Sequence, residues 1–457
     1  MYLNRDIDRV LREWTVSSAR KPLILRGARQ TGKTESIRQL SARFELFLEL
    51  NLERYEDLAL VRASQSAEDL LVALRARSNV ASFPERTLLF LDEIQESPEA
   101  IQWLRFLWED HPDLAVIAAG SLLEVRLQER GFSFPVGRVT FQTLRPLSFM
   151  EFLQASGHDV LVDQLVGAVS EWQPIPSPLH DQATELLRTY IQVGGMPEAV
   201  VRWLESGQLA TAQQVHTDLL QSLAEDLQKY RGAHDARYLE AAFENLRHHY
   251  GLRFKYENFA PGFRSQLMKA ALGKLEAALL ITRVWPTSSL STPPVARPRS
   301  APKLFPLDTG LALSTMAFDP SELRRWPLDK ILGGRVAEMF VGQELLAGTG
   351  PTRKELCFWV SESARSNAEI DFLLATQGRL LPVEAKSAAS GALKSLHQFL
   401  WRSGVREAVR LHSGPFTDER HQVKMPGGVL QYRLLSLPLY LASRVSDLCF
   451  REPVKSG

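Results

Sequence analysis

The stretch that most constrains this chain is a glycine-bent turn at residues 27–34, between a predicted strand over 22–26 and a predicted helix over 35–44. It fits the pattern G-x-x-x-x-G-K-[ST]. Its residues are Gly27, Ala28, Arg29, Gln30, Thr31, Gly32, Lys33 and Thr34. The two glycines let successive N–H groups point inward around a polyphosphate, and the following helix adds its positive N-terminal end. We expect Lys33 to reach the β- and γ-phosphates and the Thr34 hydroxyl to hold Mg²⁺. The alternative, a chance match in an ordinary glycine turn, is disfavoured by the flanking strand and helix.

A second motif lies where the apolar run 88–91 leads into Asp92 and Glu93. An apolar run of this kind predicts a buried parallel strand, and both carboxylates then lie at its carboxyl end. There Asp92 is placed to hold Mg²⁺ through water and Glu93 to polarise the attacking water. Together with the turn, the motif favours nucleotide hydrolysis. The alternative is a nucleotide-binding protein that does not hydrolyse.

A third predicted strand, over 114–119, ends beside Ser121. We expect Ser121 to sense the γ-phosphate or to orient the attacking water. The alternative is a helix N-cap, because residues 122–129 are predicted to be helical. The two roles are compatible.

Composition limits the class of protein but does not identify a binding partner. A chain of 457 residues predicts two to four domains, and 54 basic against 53 acidic side chains neither suggest nor exclude nucleic acid. The two cysteines, Cys357 and Cys449, lie in no metal-ligand spacing and imply no disulfide framework. The N-terminus has no apolar signal core, and no apolar run is long enough to span a bilayer. We therefore expect a cytoplasmic protein with no membrane partner.

Residues 1 to about 155 resemble an AAA+ ATPase core. The segments 136–139 (Val-Gly-Arg-Val), 146–152 (Pro-Leu-Ser-Phe-Met-Glu-Phe), 194–198 (Gly-Gly-Met-Pro-Glu) and 303–311 (Lys-Leu to Gly-Leu) are similar to a widespread, poorly characterised bacterial and archaeal AAA+ family. The resemblance implies Mg²⁺-dependent ATP hydrolysis. It also implies that Pro197 packs near the adenine.

The same resemblance makes Arg138 the candidate arginine finger. AAA+ subunits usually complete each other's sites with an arginine that stabilises charge in the transition state. The resemblance therefore implies a homo-oligomer, which in AAA+ proteins is often a ring of six. Arg138 could instead form a surface salt bridge or a contact within its own subunit. Three other arginines are alternatives for the finger: Arg126, Arg130 and Arg145.

The middle of the chain predicts two modules. Prolines between 155 and 185 predict an irregular connection, and the helical pattern from 180 to about 230 predicts a lid over the nucleotide. Two helices and two strand-like runs over 235–310 suggest a winged helix, with Arg297, Arg299 and Lys303 placing charge on its wing. The wing could meet phosphates, or the module could bind protein instead.

The C-terminal part resembles the PD-(D/E)xK nuclease fold. Glu338 lies on a predicted helix and Asp371 on a predicted strand, and a further strand carries Glu384 and Lys386. Residues two apart on a strand face the same side, so Glu384 and Lys386 point together. Asp371 and Glu384 are expected to ligate Mg²⁺, with Glu338 completing the shell and Lys386 activating water. Gln398, on the next helix, could contact a substrate strand. Ile370 stands where the pattern has proline, and a surface pair or an inert DNA-holding module is the alternative.

The predicted architecture is α/β: a P-loop AAA+ parallel-sheet core at 1–155, a helical lid at 156–232, a winged-helix-like domain at 233–312, and an α/β nuclease-like domain at 313–457. The predicted function is Mg²⁺-dependent ATP hydrolysis coupled to DNA or RNA binding or cleavage. The alternative is a signalling or scaffold ATPase whose C-terminal domains make protein contacts.

Overall fold

The structure, a computed structural model, describes residues 1–121, 123, 137–228, 233–316, 328–331, 333–347, 356–362, 367–376, 378–386 and 393–448. Their contacts divide them into two compact units. The first comprises Met1–Arg145 and Lys274–Leu280, and the second comprises the other described residues. The division into four domains stays a prediction.

The first unit is built on a five-stranded, fully parallel sheet. Its strands are β1 (Leu23–Arg26), β2 (Leu46–Asn51), β3 (Thr87–Asp92), β4 (Ala115–Gly120) and β5 (Thr140–Thr143). Their order across the sheet is β2-β3-β4-β1-β5. Every residue of β3 and β4 is buried, as expected for central strands covered on both faces.

Helices cover the two faces of this sheet. They are α1 (Asp6–Thr15), α2 (Lys33–Ser41), α3 (Tyr55–Ala63), α4 (Ala67–Arg77) and α5 (Pro98–Asp110), with a 3₁₀ turn at Ile94–Glu96. Alternate residues of the strands enter two separate hydrophobic clusters, so that Leu89 lies in one and Phe90 in the other. The second cluster also holds Ile7 and Leu11 of α1, and this explains the helical spacing of the first apolar residues.

The second unit contains an eight-stranded mixed sheet. Its strands are β6 (Ile281–Thr287), β7 (Lys303–Pro306), β8 (Cys357–Val360), β9 (Glu369–Thr376), β10 (Arg379–Ala385), β11 (Glu407–His412), β12 (Thr417–Met425) and β13 (Gly428–Pro438). They lie in the order β12-β13-β11-β10-β9-β8-β6-β7. Pairing is antiparallel in the hairpins and parallel where β11 meets β10 and β13.

The chain from residue 146 onward also forms many helices. They are α6 (Phe149–Ala155), α7 (Asp159–Glu171), α8 (Ser177–Val193), α9 (Pro197–Ser206), α10 (Leu209–Gln228), α11 (Ala233–His249), α12 (Ser265–Ala277), α13 (Thr309–Thr315), α14 (Leu328–Ile331), α15 (Arg335–Ala347) and α16 (Lys394–Ser403), with 3₁₀ segments at Tyr256–Asn258 and Leu439–Asp447.

The middle of the chain differs from what its sequence predicts. The prediction of an irregular connection over 155–185 is wrong, because α7 and the first half of α8 occupy most of that range. Pro178 lies in the first turn of α8, where a missing N–H costs nothing, so this proline starts a helix.

The two strand-like runs predicted before residue 310 are present as β6 and β7, which pair as a hairpin. However, β6 also pairs with β8 and so belongs to the large sheet. The predicted helix over 122–129 lies outside the described residues, apart from Leu123.

In the part of the chain that the structure describes, no helix combines the length and apolarity needed to cross a membrane.

Candidate functional site

The carboxyl ends of three adjacent parallel strands meet at one edge of the first unit's sheet. The glycine-bent turn follows β1, Asp92 ends β3, and Ser121 follows β4. Because β4 lies between β1 and β3, these groups converge although they are far apart in sequence. This edge is where ligands bind in open parallel sheets.

The turn has the backbone that its glycines were expected to allow. Gly32, which caps α2, has a φ of 93°, and Gln30 has a φ of 61°. A Cβ on Gly27 would lie 2.6 Å from the carbonyl oxygen of Leu144. Both glycine positions therefore require glycine, one for its dihedral angles and one for a close backbone approach.

Lys33 is folded back onto the turn. Its Nζ donates to the carbonyl oxygens of Gly27 and Ala28, each at 3.0 Å, and the residue is 5 % exposed. Burial lowers the pKa of the Lys33 ammonium, while the nearby Glu93 and Asp92 carboxylates oppose that change. The turn thus concentrates positive charge against two carboxylates in a confined space.

Thr34 contacts the acidic strand directly. Its Oγ1 donates to Oδ2 of Asp92 at 2.8 Å. Asp92 is 3 % exposed, and burial raises its pKa above the ordinary value, although the hydrogen bond from Thr34 lowers it. A buried carboxylate with a hydroxyl beside it is an oxygen donor set that suits Mg²⁺. These two residues fit the role predicted for them.

Glu93 is held by groups from three segments. Its own N–H donates to Asp92 Oδ1 at 3.1 Å, and Gln95 Nε2 donates to Glu93 Oε2 at 2.6 Å. The backbone N–H and the hydroxyl of Ser121 lie 3.4 Å from the same oxygen. Glu93 and Ser121, predicted from different strands, are therefore in contact.

Sequence reasoning missed two residues of this site. Gln95 is buried beside Glu93, and its Oε1 has no hydrogen-bond partner among the described residues. The sequence contained a signal for Gln95, because a polar side chain two positions after Glu93 can fold back onto the Glu93 carboxylate. Arg5 donates to the carbonyl oxygens of Thr31, at 3.1 Å, and Arg145, at 2.6 Å. It holds the turn against the segment after β5, and no local pattern announces this long-range contact.

Other predicted residues do not join this cluster. Arg29 pairs with Glu53 at 3.2 Å. Arg138 pairs with Glu109 at 2.8 Å and lies over the Trp108 ring. It precedes β5 at the edge where the strands begin, whereas the turn lies where they end. Arg138 therefore does not reach the glycine-bent turn of its own unit.

Pro197 belongs to the second unit, where it starts α9. Two alternative finger residues, Arg126 and Arg130, lie outside the described residues. The predicted role of Pro197 near the adenine stays a prediction.

The predicted C-terminal centre is assembled on the large sheet. Lys386 Nζ lies 2.7 Å from Glu384 and 3.7 Å from Asp371, and the N–H of Ala385 donates to Asp371 at 2.9 Å. Glu338, on α15, lies close enough to Asp371 for each carboxyl group to shift the pKa of the other. The four residues that the sequence singled out therefore lie together. Gln398 lies on α16.

A residue assigned elsewhere by sequence occupies the middle of this centre. Lys303, expected on an exposed wing, is 4 % exposed. Its Nζ lies 2.7 Å from Glu369, 3.1 Å from Glu338 and 3.8 Å from Asp371. Burial lowers the pKa of Lys303, but Glu338, Asp371 and Glu369 together raise it above the ordinary value.

The C-terminal centre does not fit a bound divalent metal as it stands. Among the described residues, no group of three or more His, Cys, Asp or Glu side chains has an arrangement that could hold a metal ion. The Lys303 ammonium lies among three carboxylates of this centre, those of Glu338, Glu369 and Asp371. Burial and the neighbouring Asp371 charge raise the pKa of Glu338 to about 8, against the opposing effect of Lys303. Metal ligation by Glu338, Asp371 and Glu384 stays a prediction from sequence.

Comparisons with known proteins agree with the first unit's site. Residues 19–153 match a family model described as an AAA domain. Residues 184–322 and 333–426 match two domains of unknown function, DUF8612 and DUF4143. A search of curated proteins returned no match.

Several solved structures are similar to parts of the chain. The ORC1 protein of Aeropyrum pernix, in complex with DNA, is 15% identical with a TM-score of 0.25, and the match covers 71% of this chain and 95% of that one. The Aeropyrum pernix ORC2 protein is 12% identical with a TM-score of 0.29, covering 70% and 92%. A signal transduction ATPase with numerous domains from Pyrococcus horikoshii is 13% identical with a TM-score of 0.27, covering 75% and 45%.

The parallel sheet, the glycine-bent turn and the family match are those of an AAA+ ATPase-like protein. Residues 19–153 are the part that is similar to an AAA domain.

Proposed function

We propose that the AAA domain binds ATP with Mg²⁺ and hydrolyses it. The observation that carries the proposal is the contact between the Thr34 hydroxyl and Asp92 at 2.8 Å, with Glu93 next in the chain and aimed at the same edge. Thr34 and Asp92 would hold Mg²⁺, which supplies positive charge to the phosphates when bound.

The remaining chemistry belongs to the chain's own residues. The N–H groups of the turn and the N-terminus of α2 bind the phosphates. Lys33, whose partners are now carbonyl oxygens of the turn, exchanges them for phosphate oxygens. Glu93 accepts a hydrogen bond from the attacking water and so orients it toward the γ-phosphate, and Ser121 keeps the Glu93 carboxylate in place.

The test compares nucleotide binding with turnover in the full chain. Glu93→Gln should retain ATP affinity, because it leaves the turn intact, while the turnover rate falls by about 10² or more. Lys33→Ala should weaken nucleotide binding itself. Binding is measured with a fluorescent ATP analogue and turnover by phosphate release.

The matched control is Glu56→Gln, the same chemical change at an exposed carboxylate on α3. It should leave both quantities unchanged. If Glu93→Gln turns over ATP at the wild-type rate, Glu93 is not the residue that orients water. If the wild-type chain binds no nucleotide, the whole proposal fails.

We further propose that the site is completed in a homo-oligomer. Arg138 lies at the wrong edge of its own sheet to contact its own phosphates. Its side chain is 42% exposed, and this leaves it accessible to a second copy. The AAA+ resemblance supports a role for it as an arginine finger in the neighbouring site.

The proposal stops short of strand cleavage. A metal-dependent nuclease needs a metal ion among its carboxylates, and among the described residues no group of His, Cys, Asp or Glu side chains could hold one. The rival function, an ATPase whose C-terminal domains serve as a scaffold, has the same catalytic site and differs only in what the second unit binds.

A further inference from the structure

A broad cleft crosses the large sheet of the second unit, on strands whose other ends carry the acidic centre. Its volume is about 920 Å³. Its lining contains four arginines and one carboxylate: Arg379, Arg406, Arg420, Arg433 and Glu407. The cleft is therefore strongly biased toward positive charge, although the whole chain is nearly neutral.

The strand register aligns these arginines across the sheet. Arg420 of β12 lies opposite Arg433 of β13, which lies opposite Glu407 of β11. On β10, Arg379 lies four residues before Val383, whose partner on β11 is Val409, so Arg379 is level with residue 405. Arg406 adjoins that position. The backbone positions of these arginines thus follow one line from β12 to β10, three strand spacings or about 14 Å long, and all four residues line the cleft.

Among the described residues, Arg433 is the one arginine of the four that forms an ion pair with a carboxylate, because it makes two contacts with Asp418, at 2.6 and 2.8 Å. Arg406 donates to carbonyl oxygens, at 3.1 and 3.3 Å. The Glu407 carboxylate lies near enough to Arg379, and Asp418 near enough to Arg420, for the charges to attract each other without direct contact. Among the described residues, no hydrogen bond or ion pair engages the side chain of Arg379 or Arg420. Both are exposed, so their guanidinium groups are available to a ligand.

The cleft is distinct from the acidic centre. Arg379 begins β10, whereas Glu384 lies near its end, five residues further on. The two sites therefore lie at opposite ends of the same strand and present opposite charge. The loop between β6 and β7, expected from sequence to meet phosphates, borders the cleft, because Thr292 Oγ1 donates to the carbonyl of Gly378 at 3.0 Å.

We propose that the row of Arg379, Arg406 and Arg420 binds the sugar-phosphate backbone of a nucleic acid strand. Guanidinium groups match phosphate oxygens in geometry as well as charge. A line of separate arginines about 14 Å long suits a ligand that carries anions at intervals, rather than a single phosphate. The proposal goes beyond ATP hydrolysis and does not depend on it.

The test measures binding of labelled single-stranded DNA and RNA to the full chain by fluorescence anisotropy, without nucleotide. The double variant Arg379→Gln/Arg420→Gln should weaken binding at least about tenfold. The slope of log affinity against log salt should become shallower by about 1.4, the value for two lost phosphate contacts on a single strand. A slope change is a readout that a general loss of folding would not produce.

The matched control is Lys424→Gln/Lys255→Gln. It removes the same charge from exposed residues outside the cleft, one of them on β12. The control should retain wild-type affinity and salt slope. Inorganic phosphate, added as a competitor, should displace the oligonucleotide only weakly.

Three outcomes would overturn the inference: no oligonucleotide binding by the wild-type chain at low salt, wild-type binding by the cleft variant, or complete displacement by equimolar phosphate. ATP turnover is measured on the same samples. Turnover without oligonucleotide binding removes this inference alone, and binding without turnover removes the proposed ATPase function alone.

Discussion

At the scale of single residues, the backbone of Glu93 is unusual. Its φ of 50° and ψ of 47° lie in the left-handed region, which costs energy for a residue with a Cβ. Hydrogen bonds from the Gln95 amide and from Ser121 fix the carboxylate that this backbone presents. A strained backbone conformation persists only where neighbouring groups stabilise it. Here the stabilised residue is Glu93, which is proposed to orient the attacking water.

Gln95 therefore acts on Glu93 as a positioning residue. We predict that Gln95→Ala lowers the ATP turnover rate by about tenfold, or about 1.4 kcal/mol, and leaves nucleotide affinity unchanged. Stability should change little, because the variant also removes a buried Oε1 that has no partner among the described residues. Steady-state kinetics and nucleotide titration give the two quantities. Gln39→Ala, on the exposed face of α2, is the control. Equal turnover in both variants would contradict the positioning role.

At the scale of elements, one ammonium group connects two strands and a helix in the C-terminal centre. Lys303 of β7 contacts Glu338 of α15 and Glu369 of β9. Glu369 is also paired with Arg253, at 3.3 Å. A buried cation among carboxylates replaces the charge neutralisation that a metal would otherwise provide, and it ties the edge of the sheet to a helix.

We predict that Lys303→Met lowers the stability of the chain by about 3 kcal/mol at neutral pH, because it leaves buried carboxylates uncompensated. Mn²⁺ should then raise the melting temperature of the variant and not that of the wild type. Thermal unfolding without nucleotide measures both, with Lys424→Met as a surface control. If Mn²⁺ stabilises the wild-type chain, and Asp371→Asn abolishes that effect, the metal site expected from sequence is present after all.

Sequence could place the individual elements well but not their long-range pairings. The strand predicted over 22–26 is observed as Leu23–Arg26, and the strand predicted over 114–119 as Ala115–Gly120. Periodicity is a local property and suffices for this. It could not show that Lys303 leaves the expected wing for a buried site, because that depends on β6 pairing with β8 across 70 residues of chain. Arg5 was missed for the same reason, since its partners are backbone oxygens far along the sequence.

At the scale of the whole chain, three of the four segments that carried the family resemblance, 146–152, 194–198 and 303–311, lie in the second unit. The N–H of Gly195 donates to Asp308 at 2.6 Å, and a Cβ on Gly194 would lie 2.2 Å from the same carboxylate. The backbone N–H of Phe149 donates to both oxygens of Glu344, at 3.1 and 3.2 Å. The N–H of Leu147 also donates to the carbonyl oxygen of Gly195, at 2.7 Å. The three segments are therefore hydrogen-bonding partners, which is a structural reason for them to occur together, and Glu344 of α15 binds to the first of them.

Glu344 makes the stability of this arrangement depend on pH. It is fully buried, and burial raises the pKa of its carboxyl group to about 8, against the opposing hydrogen bond from Phe149. A carboxyl group whose pKa is raised by folding binds its proton more firmly in the folded state. Its contribution to stability is therefore complete below the ordinary value of 4.5 and is lost as the pH rises toward about 8.

We predict that Glu344→Gln flattens this dependence, because glutamine resembles the protonated carboxyl group and keeps an oxygen for the Phe149 N–H. The variant should gain on the order of 3–5 kcal/mol over the wild type as the pH rises through that interval. Urea unfolding of the full chain across the interval measures the difference, and Glu198→Gln, at an exposed position on α9, should follow the wild type. Since other buried carboxyl groups with raised pKa values, such as Glu384, are common to all these chains, the difference between variant and wild type isolates Glu344. A variant whose stability falls with pH as steeply as the wild type's would show that Glu344 is already ionised in the folded chain.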